Sequence, residues 1–217
     1  MNIYIHGLIG SPSNWSHVTQ NILGNNVCLD IDYTEPLSGQ LETIKSAIDK
    51  ENIDICVANS LGCLFSLQIA DNCKQLILVS PPYKFLKGGA FMSEKRIKEL
   101  SNELFFDSSK VPKLEMEETI NKWNSRFKTQ KTMRELKNLK KELLSFDFKK
   151  YYSLHEDKIH FVLGREDKYV PVDEFLKMMK VTCPKAQVTI VDKCAHAVQI
   201  EKPQVLIDVI TKASKRY

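Results

Sequence analysis

Short apolar runs alternate with longer amphipathic stretches along most of this chain. Ile3-Tyr4-Ile5, Val27-Cys28-Leu29, Ile53–Val57, Leu76–Val79, Ile159–Leu163 and Val188–Val191 are brief, rich in β-branched residues and bounded by polar or turn-forming positions. Runs of this kind read as buried strands of a parallel sheet. They predict strands at 2–5, 27–31, 53–58, 75–79, 159–164 and 187–191. Between them, apolar residues recur at helical spacing and predict helices over 14–23, 39–51, 61–72, 172–180 and 203–215. Pro203 suits the first turn of the last of these. Regular alternation of strand and helix predicts an α/β domain with about six mainly parallel strands. Right-handed crossovers then bring the third strand near the centre of the sheet.

One stretch breaks the alternation. Residues 84 to about 150 carry no convincing strand pattern and read as helices over Ser93–Phe106, Glu115–Thr129 and Thr132–Leu144. The expected division is therefore a core of residues 1–83 and 151–217, with residues 84–150 as a helical insertion. The insertion is apolar in places, with Phe85, Phe91, Phe105, Phe106, Trp123 and Phe127. Most of these must pack the insertion onto the core. A few could roof an elongated apolar pocket.

The chemistry-bearing residues sit where the predicted strands end. Ala58-Asn59-Ser60-Leu61-Gly62 joins the third strand to an apolar helix. A strand, a small-x-Ser-x-Gly turn and a helix form the nucleophile elbow of the α/β-hydrolases. Ala58 stands where glycine is usual. The turn is sharp, so the positions two before and two after the serine must be small. The first strand runs into His6-Gly7-Leu8, a loop that in this fold supplies an oxyanion-hole amide, here that of Leu8, beside that of Leu61. Gly164-Arg165-Glu166-Asp167 follows the fifth strand, and the spacing favours Asp167 over Glu166 as the triad acid. Ala195-His196-Ala197 follows the sixth strand. The order Ser60, Asp167, His196 is the hydrolase order. Each of the three has an ordinary structural alternative, as loop acid, loop histidine or chance serine. Their joint placement at carboxyl ends of predicted parallel strands is what points to a site. The other histidines do not compete, since His17 lies on an amphipathic helix, His155 in a polar connection and His160 within a strand.

Composition narrows the setting. At 217 residues, 43% hydrophobic and 27% charged, the chain suits one soluble α/β domain with a full core. A strand beginning at residue 2 leaves no room for a signal peptide, and no apolar run reaches the roughly 20 residues of a membrane span. A cytoplasmic protein is expected, and its six cysteines read as reduced thiols rather than a disulfide set. Cys194, two residues before His196, reads as a small residue shaping the histidine loop. No CxxC or HExxH spacing occurs, so no metal site is expected, and the triad chemistry needs no cofactor. Charge is uneven: residues 84–150 carry a net +7, and the remainder of the chain −3. A basic insertion could be a solvated helical face, or it could steer an acidic partner. Nucleic acid fits poorly, because no DNA- or RNA-binding module is visible.

His6-Gly7, Asn59-Ser60-Leu61-Gly62, Gly164-x-x-Asp167 and Ala195-His196-Ala197 together resemble the short lidded esterases that cleave pimeloyl-[acyl-carrier protein] methyl ester in biotin synthesis. The resemblance spans nearly the whole chain, including the position and length of the insertion. The Ala-His-Ala loop is its most specific part. The chain differs from those esterases at Ala58-Asn59, where they typically have Gly-Trp, and at Leu8, where an aromatic is common. The resemblance implies an α/β-hydrolase fold with a helical lid, an acyl site lined by Leu8, Leu61 and the Phe127 region, and an acyl-carrier protein as partner. Arg96, Arg126 and Arg134 are the candidates for contacting such an acidic carrier, because arginine pairs bidentately with carboxylate and phosphate.

Three readings of function stay open on the residues themselves. One is a carboxylester hydrolase acting on a carrier-linked acyl chain. A second is another reaction on the same triad, either an acyl thioesterase or the proton-abstracting lyase of menaquinone synthesis. The third is a binding protein that kept the fold without the chemistry, against which a complete triad argues.

Overall fold

A computed structural model describes residues 1–8, 10–33, 35–48, 52–83, 103–107 and 130–215. Among the described residues, six strands form one sheet: β1 (Asn2–Ile5), β2 (Asn26–Leu29), β3 (Ile53–Asn59), β4 (Cys73–Val79), β5 (Ile159–Gly164) and β6 (Gln187–Val191). Their order is β2-β1-β3-β4-β5-β6, and every neighbouring pair is parallel. The order reverses direction at β1 and β3. Their carboxyl ends therefore form the switch point at which open parallel sheets place their sites.

The helices among the described residues are α1 (Ser16–Thr19), α2 (Leu37–Ile48), α3 (Gly62–Gln68), α4 (Gln130–Ser145), α5 (Phe148–Leu154), α6 (Val172–Thr182), α7 (Val198–Glu201) and α8 (Pro203–Ser214). Strand side chains alternate between the two faces of the sheet. Ile3, Ile5, Cys56, Ala58, Leu76, Leu78, Phe161 and Leu163 join one apolar cluster with residues of α2, α3, α5 and α6. Tyr4, Ile55, Val57, Ile77, Val79 and Val162 join a second with residues of α1, α7 and α8. Both faces are covered, which is why these strands read as continuous apolar runs instead of alternating ones.

The strands follow the hydrophobic pattern to within two residues at each end. The helices depart from it more. The helix expected over 14–23 is split into a 3₁₀ turn at Pro12–Trp15 and the four residues of α1. The elbow helix stops at Gln68 and continues as a 3₁₀ turn over Ala70–Asn72. α5 was not evident in the pattern. Asp147 caps it by accepting the Lys150 N–H at 3.1 Å, and Phe148 and Tyr152, four residues apart, are both buried. The Tyr152 hydroxyl donates to the Pro82 carbonyl at 2.5 Å, which ties α5 to the loop after β4. In the insertion, the helix expected over Thr132–Leu144 is observed as α4. Of the helix expected over Ser93–Phe106, residues 93–102 lie outside the described residues, and residues 104–106 are not helical. The helix expected over Glu115–Thr129 lies outside the described residues. No helix among the described residues is long and apolar enough to cross a membrane.

Candidate active site

The β3–α3 turn is built as the small-x-Ser-x-small pattern requires. Ser60 adopts φ +50°, a left-handed conformation that L-residues avoid and that costs about 1–3 kcal/mol. Its N–H donates to the Val79 carbonyl at 2.8 Å, and its own carbonyl accepts the Cys63 N–H at 3.0 Å. These two bonds hold the strained residue between β4 and α3. A β-carbon at position 62 would lie 2.6 Å from the His6 carbonyl oxygen and 2.7 Å from that of Ile5. Only glycine lets the helix approach β1 this closely. Ala58, the other small position, is fully buried.

The loop after β1 lies directly against the turn. A β-carbon at Gly7 would stand 2.9 Å from Ser60 Cβ. The His6 ring holds this loop in place. Its Nε2 accepts the Ile31 N–H at 3.0 Å, so the ring proton sits on Nδ1, which donates to the Gly7 carbonyl at 2.8 Å. The Tyr33 hydroxyl donates to the His6 carbonyl at 2.6 Å. His6 is thus a fully buried brace for the loop that leads into Leu8, while Leu61 follows Ser60 directly in the turn.

On the other side, Asp167 and His196 meet. His196 Nδ1 lies 2.8 Å from Asp167 Oδ2, with both side chains buried. The second carboxylate oxygen, Oδ1, accepts the Tyr169 N–H at 2.8 Å and the Val170 N–H at 3.0 Å. Burial pushes the Asp167 carboxyl up. The charge and hydrogen bond of His196, with the two amides, outweigh it and hold the carboxyl below its ordinary value. The Tyr169 ring packs edge-on to His196 with centroids 5.4 Å apart.

Glu166, the neighbouring acid, does something different. Its oxygens accept the Lys193 N–H at 3.2 Å and the Cys194 N–H at 2.9 Å. Lys193 is left-handed at φ +52°, so Glu166 braces a strained turn leading to His196. The two acids after β5 are thereby divided, one facing the imidazole and one the backbone beneath it. Gly164, the last residue of β5, has to be glycine, because a β-carbon there would lie 1.9 Å from the Ala195 carbonyl oxygen. The Cys194 thiol is buried and is raised well above its ordinary value by burial and by Glu201, so it stays protonated.

Asn59 joins the two halves. Buried just before Ser60, its amide lies 3.3 Å from the Val79 carbonyl and 3.4 Å from the His196 carbonyl. Ser60, Asp167 and His196 thus stand at the ends of β3, β5 and β6, with Leu8 and Leu61 beside the serine. Arg134 is exposed on α4. Phe127, Arg96 and Arg126 lie outside the described residues. The bridging role of Asn59 and the bracing role of Glu166 were not foreseen. Only a polar residue standing where the similar esterases carry Trp hinted at the first. Among the described residues, no cluster of three or more His, Cys, Asp or Glu side chains is placed to hold a metal ion.

No protein-family model and no curated protein matches the chain. Many solved structures resemble it. A bacterial membrane phospholipase A described as a virulence factor superposes with a TM-score of 0.77 at 13% identity, covering 99% of this chain and 78% of its own. A putative lipase from Acinetobacter baumannii AYE does so with 0.75 at 20% identity, over 100% of this chain and 85% of its own. The 2-hydroxy-6-oxo-6-phenylhexa-2,4-dienoate hydrolase of a Rhodococcus species matches with 0.72 at 17% identity, over 99% and 90%. With its all-parallel order and elbow, the fold is that of the α/β-hydrolases. At these identities the likeness is one of fold.

Proposed function

We propose that this protein is a serine hydrolase of carboxylic esters, with Ser60 as nucleophile, His196 as general base and acid, and Asp167 as the group that orients the imidazole. The observation that carries the reading is the 2.8 Å bond between buried Asp167 and His196, on a loop whose backbone the Asn59 amide reaches from beside Ser60. In the reaction Ser60 Oγ attacks the ester carbonyl and passes its proton to His196 Nε2. Asp167 holds the Nδ1–H tautomer and stabilises the imidazolium. The Leu8 and Leu61 amides receive the oxyanion, roughly 3–4 kcal/mol per donor in sites of this kind. His196 protonates the departing alcohol, and water, activated by the same imidazole, then releases the acid from Ser60. No step calls on a cofactor.

For the substrate, we propose a methyl ester of an acyl chain borne on an acyl-carrier protein. Three things support this: the four-motif resemblance to pimeloyl-[acyl-carrier protein] methyl ester esterases, the expected lid over residues 84–150, and that segment's net charge of +7. A carrier is strongly acidic, and a basic insertion would draw it in by long-range attraction. The test is a panel of small methyl esters, acyl thioesters and carrier-linked methyl esters, offered to wild type and to Ser60→Ala. Ser60-dependent hydrolysis, fastest on the carrier-linked ester, is the expected result. Faster turnover of thioesters would replace the ester reading, and Ser60-independent hydrolysis would end the serine-hydrolase reading. Charge reversal at Arg96 and Arg134 should slow the carrier-linked reaction alone, and added salt should mimic it, since exposed charges are screened beyond roughly 8 Å at physiological ionic strength.

A further inference from the structure

The loop that carries His196 is bound to a part of the chain far from it in sequence. Glu166 takes the amides of Lys193 and Cys194, but the next three N–H groups have other partners. The Ala195 N–H donates to Glu201 Oε2 at 2.8 Å. The His196 and Ala197 N–H groups both donate to the Leu104 carbonyl, at 3.0 and 3.2 Å. Leu104 belongs to residues 103–107, inside the insertion between β4 and β5.

Glu201, the last residue of α7, faces both ways. Its Oε2 holds Ala195, while its Oε1 accepts the Phe106 N–H at 2.7 Å and the Asp107 N–H at 3.3 Å. Glu103 adds a link on the acid side, accepting from the Tyr169 hydroxyl. Tyr169 in turn donates its N–H to Asp167 and packs its ring on His196. The short segment 103–107 thus touches both the acid loop and the histidine loop, and a single carboxylate spans segment and histidine loop.

We infer that Glu201 is a positioning residue that locks the His196 loop to the 103–107 segment, so that the seating of that segment and the aim of the imidazole are coupled. Its effect on turnover rests on the serine-hydrolase reading; the coupling itself does not. Carboxylate chemistry is needed here because both oxygens must accept. A glutamine offers one acceptor oxygen and one NH₂, which cannot accept, so it keeps one end of the bridge. An alanine keeps neither.

The test combines kinetics on a small soluble ester with amide hydrogen exchange by mass spectrometry on wild type, Glu201→Gln and Glu201→Ala. Glu201→Ala should lower kcat on the order of 10²-fold, as expected when a reacting group is misplaced by about an ångström, with KM nearly unchanged. Glu201→Gln should recover part of the loss. Exchange should quicken together in peptides covering 104–107 and 194–197, while β3 and β4 stay protected. Quickening confined to 194–197 would reduce Glu201 to a local brace and overturn the coupling, as would a raised KM with unchanged kcat. If Glu201→Ala does not fold, the near-isosteric Glu201→Gln still decides the matter, since coupling requires both peptides to loosen when only one end is cut. Coupled exchange in a protein with no Ser60-dependent hydrolysis would keep the coupling and discard the serine-hydrolase reading.

Discussion

The two halves of the candidate site are held in place by different physics. At the turn that carries Ser60, the chain is positioned mainly by backbone shape: a left-handed serine, a glycine pressed against β1, and an apolar core beneath, with the His6 and Tyr33 hydrogen bonds bracing the neighbouring β1 loop. Around His196, it is positioned mainly by backbone N–H groups that donate to carboxylates: Tyr169 to Asp167, Lys193 and Cys194 to Glu166, and Ala195 to Glu201. The difference suits the proposed chemistry. A nucleophile needs one fixed direction of attack, which sterics supply. An imidazole that gains and loses a proton needs surroundings that answer to charge, which carboxylates supply. The turn that carries Ser60 should therefore answer mainly to volume, and the pairing of Asp167 with His196 mainly to a change of charge or hydrogen bonding.

The largest expected effect lies on the histidine side. Asp167→Asn preserves shape but presents an amide to Nδ1 and favours the wrong imidazole tautomer. Turnover should fall by about 10⁴-fold, or roughly 5.4 kcal/mol of transition-state stabilisation, while far-ultraviolet circular dichroism stays unchanged. A loss of less than about tenfold would show that the pair does not act through tautomer control.

Next comes volume on the serine side. Gly62→Ala places a methyl 2.6 Å from a backbone carbonyl oxygen that has no rotamer to escape into. The gain in helix propensity, about 1 kcal/mol, does not offset this. Thermal unfolding should shift down by an amount matching about 2–4 kcal/mol. An unchanged melting temperature would mean that α3 can move off β1, and the steric account of the turn would fail.

Acid should expose the charge dependence of the histidine side. The folded Asp167 carboxyl is held below its ordinary value, so its contribution to stability is complete above the unfolded value of about 3.9 and is lost as pH falls through the lower folded value. Melting temperature followed from pH 5 downward should therefore fall more steeply in wild type than in Asp167→Asn. Parallel curves would show that Asp167 contributes nothing to acid sensitivity.

The smallest effect should come from Glu166→Gln. One oxygen still accepts from the Lys193–Cys194 turn, and the imidazole is not touched. Turnover within a few-fold of wild type is expected in a steady-state assay. A loss matching that of Asp167→Asn would mean that the two acids are not divided in the way their bonds suggest.

What could be read from the chain beforehand follows the same division. Positions determined by local pattern were legible: apolar runs marked all six strands, and the small-x-Ser-x-Gly spacing marked the turn because the steric demand lies within five residues. The pairing of Asp167 rather than Glu166 with His196 was also expected, from its distance beyond Gly164. The braces were not legible. Leu104 acts through its carbonyl, which every residue type possesses. Glu201 and Glu166 bind amides, which leave no mark in the identity of their partners. A glutamate five residues past the histidine was the one available signal for Glu201. Asn59 was noticed only as a difference from similar esterases, and its reach to His196, 137 positions away, is a product of the assembled sheet. α5 escaped because it is only seven residues long: Phe148, Tyr151 and Tyr152 do stand at helical spacing, and Asp147 stood ready as the cap, but the pattern has no second repeat to set it apart.

The central claim is that Ser60 is the activated nucleophile, and one measurement addresses it most directly. Purified protein is treated with a fluorophosphonate, and the adduct is located by peptide mass spectrometry. A single adduct on Ser60 is predicted, absent in Ser60→Ala and slowed at least 10²-fold in Asp167→Asn, because the serine depends on a correctly held imidazole. An adduct on a different serine, or labelling of Ser60 at the same rate in Asp167→Asn, would contradict the account.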